Sequence, residues 1–576
     1  MKVLLIGVNA SYMHTCLAVR SIKNYVEKFA KDENQDFEVN FIEFTINQPM
    51  MEILKNISKS KADVLVFSTY IWNCQIIENI IPDVKKILPN CIVGAGGPEF
   101  SYGWKEYFKR LPSLDFILQG EGESLSYELF KALNQFSKKN SLNDFFSQDK
   151  IDIKGIYFRN NFSKEICFTS NRLLMNDLDA IPFSYPELLT SSFEPDNKIY
   201  YYESSRGCPY SCSYCLSRVD KTVRFKSLEK VFKELKYFLD AKVRLVKFVD
   251  RTYNLKPDRY ISIWKYILEN HNHKTMFHFE IEAEYLTEEA LEFLQTVPKE
   301  VMQFEIGVQS ANKKTLKAIN RSNNIELLSK NIKRIPRTIH QHLDLIAGLP
   351  FEDIKSFGKS FDYVMELKPD ALQLGFLKIL NGTKMQDFAK ENGWKWQEKS
   401  VYEVFSTPYM SFEDISFLKD IELLLDEFWN KKIFSNTMKF IFRKISPWNF
   451  FSLLCKFAQE KKSFDASRKD LYWFNLLNEF FNDNFLSEYK FVLKDLIKYD
   501  FVLTGKKGNF PDWYEHRYDK EKHRLLLEQN GMLHSTRLAF AMTEFETFDF
   551  DVKNDFPEKS KSVFEYLIIY TEGRKN

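Results

Sequence analysis

Short apolar runs alternate with amphipathic stretches along the first two thirds of the chain. Val3–Val8, Phe37–Glu43, Val64–Ser68, Cys91–Gly94 and Asp115–Gln119 each have the length and content of a buried strand. Leu17–Ala30 and Gln75–Leu88, lying between them, read as helices. Five such units over residues 1–145 predict a parallel sheet with helices on both faces. Sheets of this kind hold ligands beyond the carboxyl ends of their strands. Asn9–His14, Ser68–Tyr70, Gly94–Glu99 and Gly120–Glu123 occupy those ends. Gly96 and Gly97 would let backbone approach a bulky ligand, since neither carries a Cβ; a plain tight turn would use the same pair.

Residues 146–195 read as an extended connector, stiffened by proline at Leu178–Phe183 and at Tyr185-Pro186. A second strand–helix series fills residues 196–385. Its strands are Ile199–Glu203, Leu245–Val249, Met276–Ile281, Met302–Gly307, Gln341–Ala347 and Ala371–Leu377, with helices such as Ser227–Asp240 and Ile354–Leu367 between them. Six units are too few for a complete eight-stranded barrel, so a partial barrel is expected. Residues 386–576 become mainly helical and very aromatic, with amphipathic helices at Phe417–Lys432, Leu471–Asn484 and Glu488–Lys498 and strands near Arg537–Thr547. This last region carries no recognisable catalytic motif. It closes the barrel mouth, shapes a substrate pocket or serves packing alone. The fold class is thus α/β in the first two parts and mainly α-helical in the third.

Composition narrows the functional classes. With 44% hydrophobic and 28% charged residues a large core is available. The balance of 81 basic against 79 acidic residues gives no general nucleic-acid footprint. No apolar run approaches the roughly 20 residues that span a bilayer. The opening Met1–Gly7 is followed by Asn9 and His14, which suits a first strand better than a signal peptide and implies a cytoplasmic protein. Eight cysteines in 576 residues are too sparse for a disulfide framework.

Three of those cysteines are clustered, as Cys208, Cys212 and Cys215 in Arg206-Gly207-Cys208-Pro209-Tyr210-Ser211-Cys212-Ser213-Tyr214-Cys215. A structural zinc takes four ligands. The next cysteine is Cys455, and the nearest downstream histidines are His271, His273 and His278. An iron–sulfur cluster on three thiolates instead keeps one iron open for chemistry. The spacing, with Tyr214 just before the last cysteine, resembles the signature of radical S-adenosylmethionine (SAM) enzymes. The resemblance implies a [4Fe-4S] cluster on the three thiolates. Its open iron would bind SAM and cleave it reductively to a 5′-deoxyadenosyl radical. It also implies a site on the carboxyl-end face of the partial barrel, with Tyr214 against the adenine. Asp250 stands where relatives place an acidic element near the SAM amino group, and Glu280 resembles the acidic residue ending the third strand in the coproporphyrinogen-oxidase-like group. Gly307-Val308-Gln309, with Arg321 twelve residues on, matches the same group. There the glutamine approaches the ribose and the arginine grips the SAM carboxylate, a task suited to a guanidinium. A solvated surface charge is the other reading of Arg321. Asp344–Pro350 resembles the fifth-strand segment and reads as architecture near SAM.

The first region resembles the cobalamin-binding domain of one large radical SAM subfamily. Ser68/Thr69, Gly96/Gly97 and the Gly120–Glu123 turn with Glu121 are the matching turns, and imply contacts to cobalamin. His14 invites comparison with a lower axial cobalt ligand. The family motif Asp-x-His-x-x-Gly lacks both Asp and Gly here, at Tyr12 and Leu17, so a loop histidine lining the pocket is the alternative. The third region resembles an uncharacterised C-terminal extension of such proteins, and the resemblance as a whole covers residues 1–385. It implies a cobalamin-dependent C-methyltransferase that uses the 5′-deoxyadenosyl radical and methylcobalamin. The substrate would be a small molecule or peptide, and the electron donor a protein such as flavodoxin or ferredoxin. Three alternatives stand beside it. One is oxidation, cyclisation or rearrangement without methyl transfer. Another is a relative that has lost cobalamin; a tRNA methylthiolating enzyme would need further cluster cysteines, whereas Cys16, Cys74 and Cys91 are spread over different units. The third is a non-catalytic cobalamin or redox sensor.

Overall fold

The computed structural model describes the chain except for residues 149–150, 195, 220, 322–323, 483–485, 506–509, 533–538, 541, 555 and 571–576. Asn484 and Arg537, which bounded two of the expected elements, lie outside the described residues.

The first sheet contains β1 (Lys2–Asn9), β2 (Glu38–Thr45), β3 (Val64–Ser68), β4 (Ile92–Gly96) and β5 (Phe116–Leu118), all parallel. Val3–Val8 is buried throughout, as a strand covered on both faces must be. The strand order is β2-β1-β3-β4-β5, so the connection reverses direction between β1 and β3, where such sheets open a ligand crevice. Two further strands follow, β6 (Ile156–Arg159) and β7 (Ile166–Phe168), and join the edge antiparallel. They fall within the stretch expected to be a plain connector. Their apolar runs are three or four residues long, too short to show a period, and Phe158 is buried by pairing with Phe116 across the register.

The second region forms a six-stranded parallel sheet from β8 (Ile199–Tyr202), β11 (Leu245–Phe248), β12 (Met276–Ile281), β13 (Met302–Gln309), β14 (His340–Ala347) and β15 (Ala371–Phe376), in sequential order. A short ribbon, β9 (Ser205–Arg206) with β10 (Arg224–Phe225), flanks the cysteine loop. Burial alternates strictly along β13. Met302, Phe304, Ile306 and Val308 are buried, while Gln303, Glu305, Gly307 and Gln309 are partly accessible.

β8 and β15 do not pair, so the barrel is open on one side. The carboxyl edge of the first sheet meets both flanks of that opening. On one flank Ile199 N donates to Met13 O (2.7 Å) and Thr15 Oγ1 to Ile199 O (2.9 Å). On the other, Ser400 bonds Ile71, Gln75 bonds Ser400 and Tyr402 bonds Glu99. Ser400 and Tyr402 belong to the segment around a small antiparallel pair, β16 (Lys395–Trp396) and β17 (Val404–Ser406).

The third region packs helices 412–425, 435–441, 447–460, 470–482 and 490–503 beneath a hairpin of β18 (Thr543–Phe548) and β19 (Phe564–Ile569). The first helix begins at Phe412, ahead of the expected Phe417, because Ser411 and Asp414 form a reciprocal capping box. One continuous apolar core runs from the barrel helices into this region. Trp448 shows how close the join is: its backbone N donates to Asp362 (2.7 Å), and a Cβ on Gly358 would lie 2.5 Å from its indole nitrogen. Among the described residues no helix is long and apolar enough to cross a membrane.

Candidate functional site

The cysteine loop leaves the barrel immediately after β9. Gly207 takes a φ of +103°, which a side chain would resist, and turns the chain into the loop. Arg206 fixes the root. Its guanidinium meets Glu203 (2.7 Å), Glu123 (2.8 Å) and Glu121 (3.3 Å), and Arg224 on β10 also meets Glu121 (2.8 Å). The far side of the loop is tied by Ser213 N to Ile319 O (2.9 Å) and by Asn320 Nδ2 to Ser211 O (3.0 Å).

Held this way, Cys208, Cys212 and Cys215 line one cleft of about 200 Å³ at the carboxyl ends of the barrel strands, with Tyr214 beside them. Among the described residues no three His, Cys, Asp or Glu groups close on a single ion. All three thiols are free. Cys208 Sγ lies 3.7 Å from Thr252 Oγ1, and Cys215 Sγ accepts from Ser217 N at 3.4 Å. Burial pushes the Cys212 thiol up, opposed by the Arg321 guanidinium. Burial likewise raises the Tyr214 phenol, again against Arg321.

Gln309 and Arg321 reach the same cleft. Gln309 ends β13 at a φ of +69°, where the register with β14 slips, and its buried Oε1 has no hydrogen-bond partner among the described residues. Gly307 makes room for it; a Cβ there would lie 2.2 Å from Gln309 Nε2. Arg321 Nη2 donates to both oxygens of Glu282 (2.6 and 2.7 Å) and to Gly307 O (2.7 Å), its guanidinium also meets the Tyr214 hydroxyl, and among the described residues its buried Nε has no geometric hydrogen-bond partner. Arg321 is therefore not a solvated surface charge. Glu282 holds the guanidinium firmly protonated. Both side chains line the cleft, and Gln309 keeps there an unspent acceptor of the kind a ribose hydroxyl requires.

Glu280 also lines the cleft, where burial raises its carboxyl against the opposing Arg251. β12 ends at Ile281, and Glu282, one residue past that end, is the carboxylate joined to Arg321. Sequence reasoning passed over Glu282 because two glutamates alternate across a strand end whose exact limit a period-two pattern does not mark. Deeper in the cleft, burial pushes Glu305 up. The hydrogen bond from His278 and the Lys247 ammonium, each 2.9 Å away, outweigh it and hold the carboxyl at about 2. Asp344 is held well above the usual carboxylate range by burial and by Glu305 and Glu280, and its Oδ1 has no hydrogen-bond partner among the described residues.

Asp250 departs from the expectation. It is 1% exposed, and its oxygens are taken by Ser204 N (2.9 Å), Ser204 Oγ (2.7 Å) and Ser205 Oγ (2.5 Å). It braces the turn into the cysteine loop from behind the cleft wall.

The residues proposed for cobalamin divide in the same way. Thr69 is fully buried and spends its hydroxyl on Gly96 O (2.8 Å), fastening one turn to the next. Gly97 takes a φ of +106° beneath that contact, where a Cβ would lie 2.4 Å from Thr69 O. Glu121 accepts from Met175 N (2.7 Å) besides its two arginines. The Thr69 and Glu121 side chains and the Gly97 turn thus hold the edge together, while the Gly97 backbone stays partly open. Ser68 is nearly buried, with its hydroxyl between Cys16 and Tyr70. Gly96 and His14 stay partly open. His14 Nδ1 lies 2.7 Å from Tyr201 Oη on β8, and burial, aided by Lys247, lowers the imidazole and disfavours its charged form. Around them the edge exposes Tyr12, Met13 and Trp72, with Trp72 stacked on Tyr70 at 4.3 Å between ring centres. These side chains stand at the β1–β3 crevice.

Comparison with known proteins follows the same three parts. The family model for the B12 binding domain matches residues 4–130, that for the radical SAM superfamily residues 202–364, and that for a protein of unknown function (DUF4080) residues 390–570. The chain is 25% identical over 381 residues to the cobalamin-dependent radical SAM methyltransferase TokK of Streptomyces tokunonensis, covering 63% of this chain and 53% of that protein. It spans about half the length of the curated relatives it matches. Its fold resembles that of the cobalamin-dependent S-adenosylmethionine radical enzyme OxsB with aqua-cobalamin and S-adenosylmethionine bound, with a TM-score of 0.57 and 16% identity over 92% of this chain and 76% of that one. It also resembles the radical S-adenosylmethionine methyltransferase TsrM of Kitasatospora setae with cobalamin and a [4Fe-4S] cluster bound, with a TM-score of 0.54 and 14% identity over 70% and 78% of the two chains. In order along its length, the protein is a B12 binding domain, a radical SAM domain and a DUF4080 domain.

Proposed function

We propose that the protein is a cobalamin-dependent radical SAM enzyme that methylates an unactivated carbon of a small molecule or peptide, with electrons from a small redox protein. One observation carries this reading: three free thiols share a cleft with Gln309 and Arg321 in a barrel whose two open flanks are met by the first sheet's carboxyl edge. When bound, the cluster supplies the electron that cleaves SAM, and cobalamin carries the methyl group.

The chain's own residues would do the rest. Cys208, Cys212 and Cys215 would hold the cluster as thiolates, and Arg321 opposes the burial that keeps Cys212 protonated. Arg321 with Glu282 would grip the carboxylate and amino group of SAM, and the unpartnered Gln309 Oε1 would accept from the ribose. Tyr214 would cover the adenine. Gly96 and His14 would border the cobalamin, with Tyr201 orienting the imidazole.

The test is anaerobic reconstitution with iron, sulfide and hydroxocobalamin, followed by incubation with methyl-labelled SAM, a reductant and a fractionated metabolite extract. The reading expects bound cobalamin and a labelled product heavier by one methyl group. A product of unchanged carbon count would move the assignment to oxidation or rearrangement, and failure to retain cobalamin would remove the first domain from the mechanism.

A further inference from the structure

Most charges in the cleft are compensated. Glu282 is matched by Arg321, and Glu305 by Lys247. Burial favours the neutral forms of Glu280 and Asp344. What remains is Arg251. It lines the cleft and is exposed, and it makes no hydrogen bond or ion pair with any described residue. Its neighbours in sequence are rigid. Asp250 is fixed by two serines on one side, and Thr252 is buried against Cys208 on the other. The backbone is thus held while the guanidinium stays uncommitted.

Its position is also particular. Arg251 acts electrostatically on Glu280, inside the barrel, and on Tyr70, in the turn after β3 of the first sheet. It therefore stands at the seam between the cysteine cleft and the edge where the exposed Trp72 lies. We infer that Arg251 anchors an oxyanion of the substrate, a carboxylate or a phosphate, at this seam. A guanidinium presents two parallel donors to such a group and needs little desolvation to do so. The inference rests on the proposed reading, because a substrate must lie between the two cofactors and hence beside this residue.

The test uses the full-length protein loaded with iron, cobalamin and SAM, and calorimetric titration with benzoate and phenyl phosphate against their uncharged counterparts benzamide and phenol. The inference expects one anion to bind at least about tenfold more tightly than its uncharged counterpart, and R251Q to abolish the difference while R251K keeps part of it. The preferred anion assigns the group as carboxylate or phosphate. The inference is overturned if the charged and uncharged probes bind alike. It is also overturned if R251Q leaves the anion's advantage intact, or weakens SAM more than it weakens the anion. Failure of the underlying reading shows separately and without any probe, as wild-type protein that takes up no iron or binds no SAM.

Discussion

Gln309 faces the cleft because Gly307, two residues earlier, gives up its side chain. The clash that G307A would create falls on the flexible end of Gln309, so the side chain swings away and the strand survives. G307A should fold normally and bind SAM about tenfold more weakly, as equilibrium dialysis would measure. Glu352 makes a second prediction. It is fully buried and held by Ser310 (2.7 Å), the neighbour of Gln309 in sequence, and by Ser360 (2.8 Å), and burial outweighs these bonds and raises its carboxyl to about 7. The folded state keeps a proton that the unfolded chain releases near pH ~4.3, so this group's contribution to stability falls as pH rises to about 7 and is then flat. In urea unfolding, E352Q should therefore gain roughly 3 kcal/mol on the wild type between pH 4 and 8. At this scale the sequence disclosed what is local. Cys208, Cys212 and Cys215 share one loop, and Gln309 and Arg321 keep a fixed spacing. It hid Glu282 and Arg251, whose importance depends on which partner each meets or lacks in space.

Elements were readable where burial imposes a period. All six barrel strands were anticipated, because β12 to β14 alternate between helix-facing apolar and cleft-facing polar residues. The β6–β7 hairpin was missed because its strands gain burial only by pairing with β5. The Gly120–Glu123 turn was anticipated as a ligand turn, yet its carboxylates serve as a clamp on the cysteine loop. Three glutamates surround the 19%-exposed Arg206 side chain. R206A should cost about 3–5 kcal/mol in chemical unfolding, since it strands buried carboxylates. R206K should recover little of this, because an ammonium cannot serve three carboxylates from one plane.

The whole molecule depends on contacts that no periodicity encodes. Glu99 and Tyr402 meet across 303 residues, where burial raises the Glu99 carboxyl against the Tyr107 and Tyr402 hydroxyls that hold it. The third region shares one core with the barrel, so a chain ended at residue 385 should expose that apolar face and aggregate, which soluble yield and light scattering would show. The central claim concerns the cysteine cleft, and one measurement tests it most directly. Reconstituted wild-type protein and a variant with Cys208, Cys212 and Cys215 all changed to Ala are given SAM and dithionite without oxygen, and 5′-deoxyadenosine is quantified. The account predicts formation by the wild type and none above background by the variant; equal formation by both would contradict it.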